Sequence, residues 1–178
     1  MIEIPRFETD RLILRGLEQG DLDAYAAMMG DPEVTRYLGD GNRLSRSDAW
    51  RQMAMFNGHW LLRGFGMWAV EEKNSGQFLG RVGCLEPEGW PAFEIGYSLS
   101  RAAWGNGFAR EAAAFSLHYA REVLRRTEIV SFIRPLNAAS VRVAVSLGAA
   151  EAETIELFGA STSVYRYPTN PTLEDLKW

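Results

Sequence analysis

The chain has 178 residues, 47% of them apolar and 24% charged, an ordinary globular composition with length for one full core. A formal net charge of −4 argues against a nucleic-acid partner, and a single cysteine, Cys84, excludes an intramolecular disulfide and a thiol-rich metal site, so no metal is expected and a buried structural thiol is. No uncharged apolar stretch is long enough to span a bilayer and residues 1–6 lack a run of signal length, so the expectation is a cytoplasmic protein off the membrane, with one domain over residues 1–168 and a tail over 169–178.

Residues 11–17 read as a first strand, after which Asp21 is placed to cap a helix over 22–29 and Asp31-Pro32 to open a further short helical turn. From Ser45 to Arg63, Trp50, Met53, Ala54, Phe56 and Trp60 recur at helical spacings until Gly64 and Gly66 stop the pattern. Three β-rich runs follow at 67–72, 77–85 and 93–99, with Asn74-Ser-Gly76 as a hairpin turn, and read as an antiparallel meander. A helix over 107–126 carries a broad apolar surface from Ala112 to Leu124. A strand covers 128–134, and a helix runs over 137–147 with Gly148 closing it. Two last strands, 152–158 and 162–167, flank the turn that starts at Phe158-Gly159, and the tail either frays or docks through Leu176 and Trp178. The order β-α-α-β-β-β-α-β-α-β-β implies an α/β (α+β) fold: one mixed, mostly antiparallel central sheet with helices on both faces.

Chemistry concentrates at Glu94-Ile-Gly-Tyr-Ser-Leu99 and the following Arg101-Ala-Ala-Trp-Gly-Asn-Gly-Phe-Ala-Arg-Glu-Ala112, a strand ending in a glycine loop that turns into a helix. Gly105 and Gly107 permit backbone conformations closed to other residues and leave no side chain in front of the main chain. Successive N–H groups can therefore converge where a helix N-terminus adds positive potential, as a diphosphate site requires. The plain alternative is a turn that binds nothing. A dinucleotide fingerprint needs a third small residue where Arg110 stands, and a nucleotidase phosphate loop needs a Gly-Lys-Ser/Thr that is absent.

That element order, with Thr9-Asp-Arg-Leu-Ile-Leu-Arg15, the strand and glycine loop, and Asn137-Ala-Ala-Ser140 through Ser146-Leu-Gly148, resembles the GNAT superfamily of N-acetyltransferases over nearly the whole chain. Its RimJ/RimL-like branch of ribosomal-protein N-terminal acetyltransferases is the nearest likeness. The resemblance implies an N-acetyltransferase domain, acetyl-CoA as co-substrate between two splayed strands, and a primary amine as acceptor, in a monomer or homodimer. A protein N-terminal α-amine is favoured over a small-molecule amine. It further implies that the pantetheine arm bonds the main chain around Tyr97, Ser98 and Leu99, and that the pyrophosphate meets N–H groups of Trp104, Gly105, Asn106, Gly107, Phe108, Ala109 and Arg110. Trp104 stands where the broad superfamily has Gln or Arg. A non-catalytic acyl-CoA-binding module of the same fold is the alternative, with a phosphate-binding α/β domain of other purpose behind it.

Asn137 has two readings, a helix cap or a cap that also bonds the pantetheine amides. Ser140 shares its helix face, and its hydroxyl either bonds back to the helix or meets the thioester sulfur. Many superfamily members carry a tyrosine on this helix; this chain has none between Asn137 and Gly148, which makes Ser140 the catalytic candidate there. A thiol leaves with a pKa near ~8.5, so an acid is dispensable, whereas the attacking amine must be neutral. Glu94 is the candidate base, directly or through a water, against the reading of an outward-facing strand carboxylate. His59 is a second base candidate or a packing residue, and His118 a surface or core-edge one. Arg121, Arg125 and Arg126 form a solvated helix face or meet the coenzyme 3′-phosphate. Trp50, Trp60 and Trp68 are candidate walls of an acceptor pocket, with Phe56 and Trp90 weaker candidates.

Overall fold

The structure, a computed structural model, describes residues 3–169. Eight strands form one sheet: β1 (Phe7–Glu8), β2 (Leu12–Arg15), β3 (Met67–Glu72), β4 (Phe78–Leu85), β5 (Glu94–Leu99), β6 (Val130–Ile133), β7 (Ala150–Leu157) and β8 (Ala160–Arg166). The helices are α1 (Leu22–Gly30), α2 (Pro32–Thr35), α3 (Arg46–Arg63), α4 (Phe108–Glu122) and α5 (Ala138–Ser146). The spatial order is β1-β2-β3-β4-β5-β6-β8-β7, and every neighbouring pair is antiparallel except β5 and β6. The expected mixed, mostly antiparallel sheet is therefore present, with β1 as an edge strand too short to leave a periodic trace in the sequence.

Local chemistry accounts for most boundaries. Ser45 caps α3 by accepting from the Asp48 N–H, and Gly64 ends it in the left-handed region at φ 76°. Asp31 caps α2 through the Glu33 N–H. Asp21 departs from its expected role: its side chain makes no cap bond to α1, because both carboxylate oxygens accept from the Arg15 guanidinium and one also takes the Glu18 N–H. The glycine-loop helix is shorter than its apolar pattern. After Glu122 the chain turns left-handed at Arg125, and the Arg126 N–H closes back on the Ala120 carbonyl, so Leu124 continues the pattern without continuing the helix.

Side-chain alternation assigns the two faces. Val82, Cys84, Ile95 and Leu99 pack with α4 through Ala112, Ala113 and Leu117, and Trp68 lies in the same core. Met67 and Ala69 pack on the other face with Tyr25 of α1 and with Met53 and Phe56 of α3. Arg81 sits opposite Ala69 on one side and Ser98 on the other, so Arg81, Ser98 and Glu94 belong to the α1–α3 face. Cys84 is buried, and burial pushes its thiol well above the ordinary range, in keeping with a structural role. No helix among the described residues is long and apolar enough to cross a membrane, and no group of three His, Cys, Asp or Glu side chains among them is arranged to hold a metal ion. Leu176 and Trp178 of the expected tail lie outside the described residues.

Candidate functional site

Strands β5 and β6 pair in parallel register only at Glu94 and Val130, where the Val130 N–H donates to the Phe93 carbonyl. Past that point side chains take over the main-chain groups. The Ser131 hydroxyl donates to the Ile95 carbonyl at 2.6 Å, and the Phe132 main-chain N–H is held by the Glu94 carboxyl. The Leu99 carbonyl is met by Trp104 Nε1 at 2.9 Å. Carbonyls 93, 95 and 99 thus all face the β6 side, and strand alternation turns the N–H and C=O of Tyr97 the same way, into the opening.

A cleft of about 530 Å³ lies at one end of this opening. Tyr97, Ser98, Leu99, Trp104, Gly105, Gly107, Phe108, Ala109, Arg110, Asn137 and Ser140 line it, which brings together ten of the eleven other expected coenzyme-binding positions with Ser140. Gly105 and Gly107 lie at φ 78° and 79°, and an added Cβ at Gly105 would meet nothing within 4 Å. The first N–H groups of the 15-residue α4, which lack intrahelical partners, open on this loop. The residues fit an anionic, elongated co-substrate. Asn106 is the exception: it does not line the cleft, and its amide donates to the Ala103 and Trp104 carbonyls to fix the loop from within. Its carbonyl accepts from Arg11, whose Nε meets buried Glu111 at 2.7 Å, while Thr9 donates to the same carboxylate at 2.6 Å. Burial opposes the charge of Glu111, but these donors hold its carboxyl below the ordinary value. The loop is therefore tied to the start of β2, a link invisible to local sequence reading.

Asn137 caps α5, its Oδ1 accepting from the Ser140 N–H at 3.2 Å, so Nδ2 is the part able to donate to a ligand. The Ser140 carbonyl accepts from the Tyr97 hydroxyl at 2.8 Å. A tyrosine hydroxyl thus reaches α5 from the strand, where the helix itself carries serines but no tyrosine.

A second cleft of about 430 Å³ reaches the α1–α3 face and shares Tyr37, Leu38, Tyr97, Asn137 and Ser140 with the first. Glu94 lines it and is 9% exposed, not an outward-facing carboxylate. Burial pushes its pKa up to about 7, against the opposing pull of Trp90 Nε1 at 2.9 Å, the Phe132 N–H and the charge of Arg81. Trp90 packs on Phe132 and Phe158, with centroids 6.2 and 5.7 Å apart, and Phe56 lines the cleft beside Arg81. Phe158 stands at φ 51° in the two-residue turn joining β7 to β8.

Several expected residues lie elsewhere. His59 is buried with both nitrogens engaged: Nε2 accepts from the Glu86 N–H at 3.1 Å, which makes Nδ1 the donor to the Phe65 carbonyl at 2.6 Å, so it is a packing residue and not a base. Trp60 and Trp68 are buried in the core with indoles bonded to the Met67 and Pro5 carbonyls, and Trp50 is an exposed partner of Gln19; none lines the second cleft. Arg121, Arg125 and Arg126 sit at the far end of α4, engaged by the Pro168 carbonyl, Glu122 and Glu86, away from the glycine loop. His118 lines neither cleft. Arg81, Phe132 and Phe158 join the site without a local signal, brought there by sheet register.

Comparison with known proteins places this arrangement. Residues 11–150 match the acetyltransferase (GNAT) domain family. The chain is 32% identical to the uncharacterized N-acetyltransferase YoaA of Bacillus subtilis over 146 residues, 81% of this chain and 82% of that protein. An acetyltransferase from Agrobacterium tumefaciens superimposes with a TM-score of 0.83 at 29% identity, covering 94% of this chain and 96% of that one. The ribosomal-protein-S5-alanine acetyltransferase of Vibrio fischeri shares the fold, with a TM-score of 0.74 at 18% identity over 94% and 98% of the two chains. Because the matched segment contains the glycine loop, the opened β5–β6 pair and α5 alike, the chain belongs to the GNAT family of acetyltransferases, enzymes that use acetyl-CoA as co-substrate.

Proposed function

We propose that this chain transfers the acetyl group of acetyl-CoA to an α-amine, with a protein or peptide N-terminus favoured over other small amines. The observation that carries the reading is Glu94, a buried carboxyl of pKa about 7 at the mouth of the opening between β5 and β6. An α-amine has a pKa near ~7.7–8.0, within about one unit of that base, whereas a lysine amine near ~10.4 lies roughly three units uphill.

The residues divide the work. Backbone N–H groups at Gly105 to Arg110 hold the pyrophosphate and the edge of β5 holds the pantetheine arm, with Asn137 Nδ2 as an added donor. Glu94 accepts the amine proton, directly or through a water. As the amine nitrogen bonds to the acetyl carbon, the Tyr97 N–H polarises the thioester oxygen, the carbon–sulfur bond breaks, and the thiolate takes up a proton. Ser140 is the hydroxyl assigned to the sulfur.

Thiol release measured with N-terminal peptides, amino acids, polyamines and aminoglycosides tests the reading. Peptide α-amines are expected to give the highest kcat/KM. Tight acetyl-CoA binding with no thiol release from any amine would instead identify a non-catalytic acyl-CoA-binding module.

A further inference from the structure

Arg81 is the unusual residue of the second cleft. It lies on β4 in the middle of the sheet, only 8% exposed, with its guanidinium 4.7 Å from the centroid of the Phe56 ring. Tyr25 beside it gives its proton to Gln52 Oε1 at 2.6 Å and so can present only an oxygen to the arginine. Among the described residues no carboxylate stands within ion-pair distance of Arg81, and its buried Nε has no hydrogen-bond partner. A buried cation without a counter-ion is strongly disfavoured unless something else supplies the charge.

Glu94 does not fill that role. It faces the same cleft, and the charge of Arg81 acts on it, but the two form no ion pair and its carboxyl is engaged by Trp90 and Phe132. Arg134, the other cation lining the cleft, is committed to the Ala160 and Gly39 carbonyls and the Thr162 hydroxyl. The cleft therefore offers a proton acceptor at one place, a guanidinium without an ion-pair partner at another, and aromatic walls from Phe56 beside Arg81 and Trp90 beside Glu94.

From this geometry we propose that the acceptor is a primary amine bearing a carboxylate a few bonds away, with its amine at Glu94 and its carboxylate on Arg81. The inference rests on the acetyl-transfer reading above and narrows its substrate. An acidic side chain near a peptide N-terminus and the carboxylate of a free amino acid present the same chemistry to Arg81.

The test compares matched pairs on the wild-type enzyme. One arm uses C-terminally amidated tetrapeptides beginning with Asp or Glu against those beginning with Asn or Gln. The other uses free alanine, β-alanine and γ-aminobutyrate against their carboxamides. In at least one arm the carboxylate is expected to win by about tenfold or more in kcat/KM, chiefly through KM, and the winning arm names the source. Arg81→Met should reduce that preference to about twofold or less with acetyl-CoA affinity and melting temperature kept, since it removes an unpaired buried charge; Arg81→Lys should retain part of it. A merely structural arginine would lower the melting temperature and leave the preference alone. Equal rates within every wild-type pair, or an undiminished preference in Arg81→Met, overturns the proposal while acetyl transfer stands. If no amine is acetylated, the transfer reading falls, and calorimetry of the same pairs with coenzyme A present decides this one: tighter carboxylate binding supports it, and equal or absent binding overturns it.

Discussion

The Ser131 hydroxyl lies 2.6 Å from the Ile95 carbonyl and satisfies an acceptor that a fully paired parallel strand would otherwise claim. With its one proton spent there, Ser131 must accept from Tyr167 in their 2.9 Å contact. Ser131→Ala removes a partner from two buried groups at once, and a loss of about 1–3 kcal/mol is expected in denaturant unfolding. An unchanged midpoint would mean that the opening does not depend on this hydroxyl.

Glu94→Gln should lower kcat at pH 7 by about 10²-fold or more with acetyl-CoA affinity kept, and the deficit should shrink at higher pH as the amine becomes neutral unaided. Stability moves in the opposite sense. The folded-state pKa of about 7 lies above the ordinary 4.5, so the protonated carboxyl favours the fold fully below about pH 4.5, and that contribution is lost as pH rises through 7. Between pH 5 and pH 8 the wild type should lose roughly 2–3 kcal/mol that Glu94→Gln does not. Parallel stability curves for the two proteins would place the carboxyl in water.

Gly107→Val is expected to weaken acetyl-CoA binding by about 100-fold in calorimetry, because a β-branched residue strongly disfavours φ 79° and its methyls would stand before the helix N-terminus. Gly105→Ala meets open space and pays only for its φ of 78°, with a stability cost of roughly 1 kcal/mol. Equal coenzyme affinity in folded Gly107→Val and wild type would remove the loop from the site.

Phe158 occupies a left-handed turn position better suited to Asn, followed by Gly159 at φ 68°. Phe158→Asn should raise stability by about 0.5–1 kcal/mol and yet raise the acceptor KM several-fold, since the ring that packs on Trp90 is gone. A KM that stays put would reduce Phe158 to a badly chosen turn residue.

What could be read from the sequence was whatever depends on neighbours in the chain. Gly105, Gly107 and the α4 start declare themselves by spacing, and Asn137 by its place before a helical run. Asp21 has the chain position of a cap for α1, but Arg15 outcompetes the α1 N–H groups for its carboxylate. Arg81 carries no local signal, and only the β4–β5 register and the approach of Phe56 from α3 make it a buried arginine. His59 is a base candidate by its residue type and helix, yet its two ring nitrogens answer to Phe65 and Glu86, contacts no local pattern encodes.

The two clefts have Tyr37, Leu38, Tyr97, Asn137 and Ser140 in common, and the chain's one thiol, Cys84, is sealed in the core. Donor and acceptor would then be held at once across a shared wall, with no accessible cysteine to carry the acyl group between visits. The kinetic consequence is a ternary complex with both substrates on the enzyme: double-reciprocal plots at several acetyl-CoA concentrations should intersect instead of running parallel, and no acetylated protein should accumulate when the amine is left out.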